Sequence, residues 1–189
     1  MNPAIPKQLV PLITELRALK IFEQDSASNV AQVSKILKPW VSTDEWLEEQ
    51  YLSVDLDKGY TSWLLHEEAD HSLAVNLLAW QPSREITPHD HKTWGVVGCV
   101  RGIEENYFWT RLDDGTKPGY AKIKRGGAPL RCRPGDIITL AEDDIHSVIN
   151  VSNSVAISLH VYGKNLNYTR RHQYDPVNDK IEEFLVDFN

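Results

Sequence analysis

The chain has 189 residues, within the span of about 100–200 that one ordinary domain occupies, and its 41% hydrophobic and 25% charged content excludes disorder and supplies a core. Lys and Arg number 20 against 27 Asp and Glu, a net charge of −7 without any basic run, so neither nucleic acid nor an anionic membrane surface is an expected partner. Two cysteines, Cys99 and Cys132, exclude a disulfide framework and point to a reducing cytosol, while seven histidines tilt any metal site toward imidazole ligands.

The first twenty residues have no basic start and no small-residue cleavage site, and Glu15 and Arg17 interrupt their apolar stretch, so no secretory signal is expected. No run approaches the roughly 18 apolar residues that cross a bilayer. The expectation is a soluble, cytoplasmic protein. Leu9, Leu12, Ile13, Leu16 and Leu19 recur at helical spacing after Pro6. Val30, Val33, Ile36, Leu37 and Trp40 form a second stripe, preceded by the cap candidates Asp25, Ser26 and Ser28. Ser42-Thr43-Asp44-Glu45 fits a capping box and predicts a third short helix.

From Tyr60 onward the texture changes. Leu73–Trp80, Gly95–Val100, Asn106–Leu112, Ile137–Leu140 and Val155–Tyr162 are short and rich in β-branched or aromatic residues. Asp113-Asp114-Gly115, Lys117-Pro118-Gly119, Gly126-Gly127 and Arg133-Pro134-Gly135 separate them as turns. The span 60–162 has room for roughly eight to ten strands, which implies a sandwich or a jelly roll. Beyond Tyr162 a polar extension ends in a helix expected around Lys180–Val186. One domain over 1–189 accounts for this order: N-terminal helices to residue 55, a β-barrel over 60–162 and an extension over 163–189.

The strongest chemical signal is Thr87-Pro88-His89-Asp90-His91. On an extended strand His89 and His91 share one face and Asp90 takes the other, so two imidazoles can reach one metal ion. Gly95 and Gly102 follow at set spacing, and Pro134-Gly135 precedes His146 and Asn150. These residues resemble the two motifs of the cupin superfamily, His-X-His-X3-Glu-X6-Gly and Pro-Gly…His-X3-Asn. The resemblance implies a mainly β double-stranded β-helix with an N-terminal helical layer, and His89, His91 and His146 converging on a metal. Gly95 stands where the motif has its glutamate, leaving three neutral imidazoles around a divalent ion. Glu104 is a carboxylate that could instead complete a different metal site.

The block His89-Asp90-His91-Lys92-Thr93-Trp94-Gly95-Val96-Val97-Gly98, with Arg101-Gly102 and Ser158-Leu159-His160-Val161-Tyr162-Gly163, resembles the thiol dioxygenases of the cysteine dioxygenase superfamily. It is most similar to the bacterial 3-mercaptopropionate dioxygenase branch. The resemblance implies one Fe(II) per chain and addition of both atoms of O2 to a small carboxylate-bearing thiol, giving a sulfinate. It also implies a hydrogen-bonded line of Ser158, His160 and Tyr162, with the tyrosine hydroxyl near the metal. Alternation along a strand puts these three on one face independently of any relative.

Two departures argue against L-cysteine as substrate. Gly95 replaces the cysteine that cross-links the active-site tyrosine in the cysteine-specific branch. Ser62, after Tyr60-Thr61, stands where that branch carries an arginine. In the mercaptopropionate branch the carboxylate-binding arginine follows the barrel's last tyrosine, which makes Arg171 and Arg170 the candidates, Arg171 by the better spacing. Ser62 also differs from the glutamine of that branch, and mercaptosuccinate stays open as a bulkier acid. A non-catalytic cupin that binds a small anion, or a Zn, Mn or Ni cupin enzyme, would share the three histidines. His66 and His71 flank a polar turn and are expected to be exposed, His172 to cap its segment, and Cys99 to be a packed hydrophobe.

Overall fold

The computed structural model describes residues 6–20 and 25–188. Helix α1 (Val10–Ala18) follows a 3-10 turn at Lys7–Leu9 and buries Leu12, Ile13 and Leu16. Helix α2 (Ser26–Val41) starts at Asp25, whose carboxylate accepts from the Ser28 N–H at 2.9 Å and so satisfies one of the orphan donors of a helix start. The helix expected from Ser42 does not form. Ser42 Oγ donates back to the Lys38 carbonyl at 2.8 Å, and Asp44 is drawn into an ion pair with Arg101 at 2.6 Å. A turn and a 3-10 segment at Glu49–Leu52 replace the helix.

The β region forms two antiparallel sheets. The first holds β1 (Tyr60–Glu67), β2 (Ser72–Trp80), β3 (Gly95–Arg101), β7 (Ile137–Leu140) and β9 (Ala156–Lys164), in the order β1-β2-β9-β3-β7. In the second, β4 (Glu104–Arg111) pairs with β5 (Ile123–Arg125), β6 (Leu130–Cys132) and β8 (Ile145–Asn150). The two sheets face each other as a double-stranded β-helix, and the helices cover the outer face of the first. The barrel's last strand runs on to Lys164, past the boundary expected at Tyr162.

Strand alternation decides which side chains meet the helices and which meet the interior. Val75, Leu77 and Ala79 of β2 and Ile157, Leu159 and Val161 of β9 join Leu12, Leu16, Val33, Leu37 and Val41 in the main apolar core. Asn76, Leu78, Trp80, His160 and Tyr162 line the cavity on the opposite face. Both faces of β2 are buried along its whole length, which is why it reads as a continuous apolar run rather than an alternating one.

The end of the chain differs from expectation. Lys180–Glu183 is not helical; it is strand β11, paired with β10 (His172–Asp175). Asp175 Oδ1 accepts from the Val177 and Asn178 N–H groups, closing the hairpin turn in place of a helix start. The His-X-His segment is extended but belongs to no long strand. His89 exchanges backbone hydrogen bonds with His146 at 2.8 and 2.9 Å, while Asp90 N–H donates to the His172 carbonyl and Tyr174 N–H to that of Pro88. Residues 88–90 are therefore stitched between β8 and β10. No helix among the described residues is long and apolar enough to cross a membrane.

Candidate metal centre and active site

The backbone bridge between His89 and His146 sets two imidazoles side by side, and alternation past Asp90 returns His91 to the same side. Ring centroids lie 4.6 Å apart for His89 and His146, 5.0 Å for His89 and His91, and 5.1 Å for His91 and His146. One ring nitrogen from each comes within 4.8 Å of the others, and all three residues are buried. His89 Nδ1–H donates to the Thr87 carbonyl at 2.9 Å and His146 Nδ1–H to Asn106 Oδ1 at 3.1 Å. These bonds fix the tautomers and orient the opposite nitrogens. His146 Nε2 and His91 Nδ1 are buried without any partner, a costly state that a bound cation relieves. Burial holds His89 and His91 well below their usual pKa and His146 down to about 3. All three are then neutral ligands at physiological pH, and the residues fit a divalent metal.

Asp90 faces the other way, as alternation requires. Its carboxylate accepts from Tyr174 O–H at 2.8 Å and from the His172 N–H at 2.7 Å. The aspartate inside the His-X-His motif thus locks the metal-facing segment to β10, the strand that begins one residue after Arg171. Asn150, the last residue of the second motif, is a turn staple: its Nδ2 donates to the Trp80 and Ser154 carbonyls at 3.0 and 2.7 Å.

A hydrogen-bonded line runs along β9. Tyr162 O–H and His160 Nδ1 are 2.8 Å apart, His160 Nε2 and Ser158 Oγ 2.8 Å, and Trp80 Nε1–H donates to Ser158 Oγ at 2.7 Å. Burial lowers His160 to about 3 and raises Tyr162. A neutral imidazole donates through one nitrogen and accepts through the other, so the line has two senses. In one sense the tyrosine hydroxyl is free to donate into the cavity. In the other, the Ser158 hydroxyl donates toward Glu104. The Tyr162 ring stands 5.1 Å from that of His91, beside the histidine cluster.

Glu104 is not part of that cluster. It lies between Asn150 and Cys132 in the second sheet, 2% exposed, interacting with Ser158 and Trp80. Burial raises its carboxyl to about 7. Gly95, paired with Tyr162 across β3 and β9, explains the missing glutamate in a different way. A Cβ at this position would come within 3.0 Å of the Tyr162 ring, so the glycine lets the phenol lie against bare backbone.

The cavity is small, about 290 Å³, and is lined by the histidine cluster, Tyr162, His160, Arg171 and the apolar side chains of Leu78, Ile86, Val148 and Leu166. Arg171 is 5% exposed, and its Nε has no hydrogen-bond partner. Burial lowers the guanidinium to about 10, still charged at neutral pH, and no carboxylate among the described residues forms an ion pair with it. Arg170 goes the other way. Its backbone is left-handed (φ 56°), and its side chain, 82% exposed, pairs with Glu183 at 2.5 Å. The two neighbouring arginines are therefore separated by the chain's turn, and of the two only Arg171 lines the cavity.

The remaining histidines stand apart from the cavity. His66 contacts Glu68 and His71 contacts Glu67 while stacking on Tyr168 at 3.5 Å, so both are half-buried rather than exposed. Cys99 and Cys132 are buried in one apolar cluster, their thiols raised by burial, Cys132 to about 12. They pack as small hydrophobes. Asn106, Trp80 and the structural role of Asp90 escaped the motif reading. Only Asp90 carries a local signal, its place between two histidines that must face the other way.

A double-stranded β-helix with three buried, converging imidazoles in its interior defines a cupin with a metal-binding site. Within that class, the chain matches the family described as "Cysteine dioxygenase type I" over residues 1–175 and belongs to that family. Solved structures resemble it more distantly. KdgF from Halomonas sp. is 17% identical at a TM-score of 0.42, over 58% of this chain and 85% of its own. An uncharacterised double-stranded β-helix protein from Klebsiella pneumoniae is 16% identical at 0.46, over 61% and 80%. Oxalate oxidase in complex with glycolate is 13% identical at 0.45, over 62% and 59%.

Proposed function

We propose that this protein is a non-haem Fe(II) thiol dioxygenase that converts a small carboxylate-bearing thiol, 3-mercaptopropionate by preference, to its sulfinate. The observation that carries the substrate class is the buried, unpaired Arg171 guanidinium lining the same cavity as the three histidines. An unpaired buried charge is costly, and a planar fork of N–H donors matches a carboxylate through two parallel bonds. Family membership supplies the reaction class. The reaction balances without an outside reductant: a thiolate and O2 give a sulfinate that retains both oxygen atoms.

His89, His91 and His146 would hold the iron, which when bound would supply the redox chemistry that activates O2 toward the thiolate. Arg171 binds the substrate carboxylate and fixes the direction in which the sulfur points, so that much of the catalysis is orientation. Tyr162 O–H donates toward the bound reactants, held by His160 and Ser158 so that it need not reorganise during reaction. Leu78, Ile86, Val148 and Leu166 keep water from the reacting groups.

Oxygen consumption by the Fe(II)-loaded protein, measured with 3-mercaptopropionate, mercaptosuccinate, L-cysteine and 2-mercaptoethanol, tests this reading. The expected result is one O2 consumed per sulfinate formed, fastest with 3-mercaptopropionate. No uptake with any thiol overturns the dioxygenase and leaves an anion-binding cupin. Turnover as fast with 2-mercaptoethanol as with the acids overturns the role of Arg171.

A further inference from the structure

The family match ends at residue 175, yet the chain after that point builds one wall of the cavity. Phe184 and Val186 both line it. The Phe184 ring lies face-on to the Arg171 guanidinium, 4.1 Å from Cζ to the ring centroid, and edge-on to the His89 ring at 6.4 Å. Its N–H also donates to the Arg171 carbonyl at 3.2 Å. The segment is pinned on both sides of this residue. Strand β11 precedes it. After it, Val186 N–H donates to Asn167 Oδ1 at 2.7 Å and Asn167 Nδ2 donates to the Val186 carbonyl at 3.0 Å. Lys58, which also lines the cavity, pairs with Asp187 at 2.9 Å.

We propose that Phe184 is a positioning residue that holds the Arg171 guanidinium in place and dry for the substrate's carboxylate, making the segment after residue 175 a determinant of substrate affinity. This rests on the reading of Arg171 given above. The physical logic is the choice of an aromatic face over an acid. A carboxylate next to Arg171 would neutralise it and occupy its in-plane N–H groups. A ring face stabilises the same charge through its quadrupole and leaves those N–H groups free. Stacking also removes rotamers from a long side chain before the substrate arrives, which lessens the cost of binding.

Steady-state kinetics of the Fe(II)-loaded protein test this, with anaerobic calorimetric titration of 3-mercaptopropionate as the readout independent of turnover. Phe184→Ala should raise KM and the anaerobic Kd for 3-mercaptopropionate about tenfold while kcat stays within about threefold. Phe184→Leu fills the space without a ring face and should lose most of that affinity, whereas Phe184→Trp should retain it. With 2-mercaptoethanol, which has no carboxylate, KM should be the same in all four proteins. Unchanged KM in Phe184→Ala overturns the inference, as do equal changes with and without a carboxylate, or full retention in Phe184→Leu. Arg171→Ala, run in parallel, separates the two ideas. If it raises KM for the acid while Phe184→Ala does not, this inference alone fails. If it leaves KM unchanged, the assignment of Arg171 fails and this inference falls with it.

Discussion

The cavity has two walls of different make. One comes from the barrel, β1, β2, β8 and β9, and carries His146, His160, Tyr162 and Trp80, buried groups kept neutral and bonded to side chains on the same or an adjacent strand. The other comes from the chain after the barrel, through Leu166, Arg171, Gln173, Phe184 and Val186. It carries a charge, Arg171, held by a ring face and by a strap whose outer contacts are surface bonds. Neutral imidazoles in a dry barrel suit metal binding and proton handling, which any thiol would need. A buried guanidinium suits recognition of one substrate group. In the proposed function, chemistry and specificity sit on separate stretches of sequence, and substitutions should divide accordingly.

The largest expected effect lies on the barrel wall. His146→Ala should lower iron retention by more than about 100-fold, since even partners behind a metal ligand cost 10–100-fold, and activity should vanish with the iron. Iron content per chain after gel filtration checks it, and full activity with stoichiometric iron would break the division. On the other wall, Arg171→Ala should reduce kcat/KM for 3-mercaptopropionate about 100-fold, the scale of losing one partner of a buried charge pair, with iron content unchanged. Tyr162→Phe should lower kcat about tenfold, one charge-assisted hydrogen bond, without raising KM; a rise in KM alone would move Tyr162 to the recognition wall.

Glu104 sharpens the picture of the barrel wall through pH. Its carboxyl rises from an ordinary 4.5 to about 7 because it is buried, so the folded protein binds the extra proton more tightly than the unfolded chain. Stability from this group is complete below about pH 4.5 and is lost as pH rises through 7, a cost of about 3 kcal/mol above that point. Glu104→Gln should therefore melt higher than the parent at pH 8, with the difference closing toward pH 5, as followed by thermal denaturation. A constant offset at both pH values would exclude this ionisation as the cause. The smallest effect belongs to Arg170→Ala, which breaks only an exposed ion pair. It should leave kcat/KM within about twofold, against the large loss at the adjacent residue.

Much of the barrel wall is legible in the chain. Five strands reveal themselves by short β-branched and aromatic runs, and alternation, a local property, puts His89 and His91 on one face; His146 joins them through a long-range backbone bridge to His89, as the motif resemblance implied. The strands at Ile123–Arg125, Leu130–Cys132, His172–Asp175 and Lys180–Glu183 are only three or four residues long, too short to show a period of their own. Lys180–Glu183 is a strand only because His172–Asp175 lies beside it. The Ser42 segment fails as a helix because Asp44 finds Arg101, a residue distant in sequence.

Strand-length runs, turn signals and alternation by themselves determined a mainly β sandwich or jelly roll behind a helical layer, His89 and His91 on one face, and Ser158, His160 and Tyr162 on one face, while the cupin barrel and the convergence of His146 came from the resemblance of its motifs. Each follows from periodicity within a strand or from motifs that cluster locally. Tertiary structure alone buried Arg171 at the cavity and turned Arg170 outward to Glu183, placed Glu104 behind the serine instead of in the histidine cluster, and brought Phe184 onto the guanidinium. Those outcomes depend on which way the backbone turns at one left-handed residue and on which distant surfaces meet. The count of seven histidines contains no information of that kind.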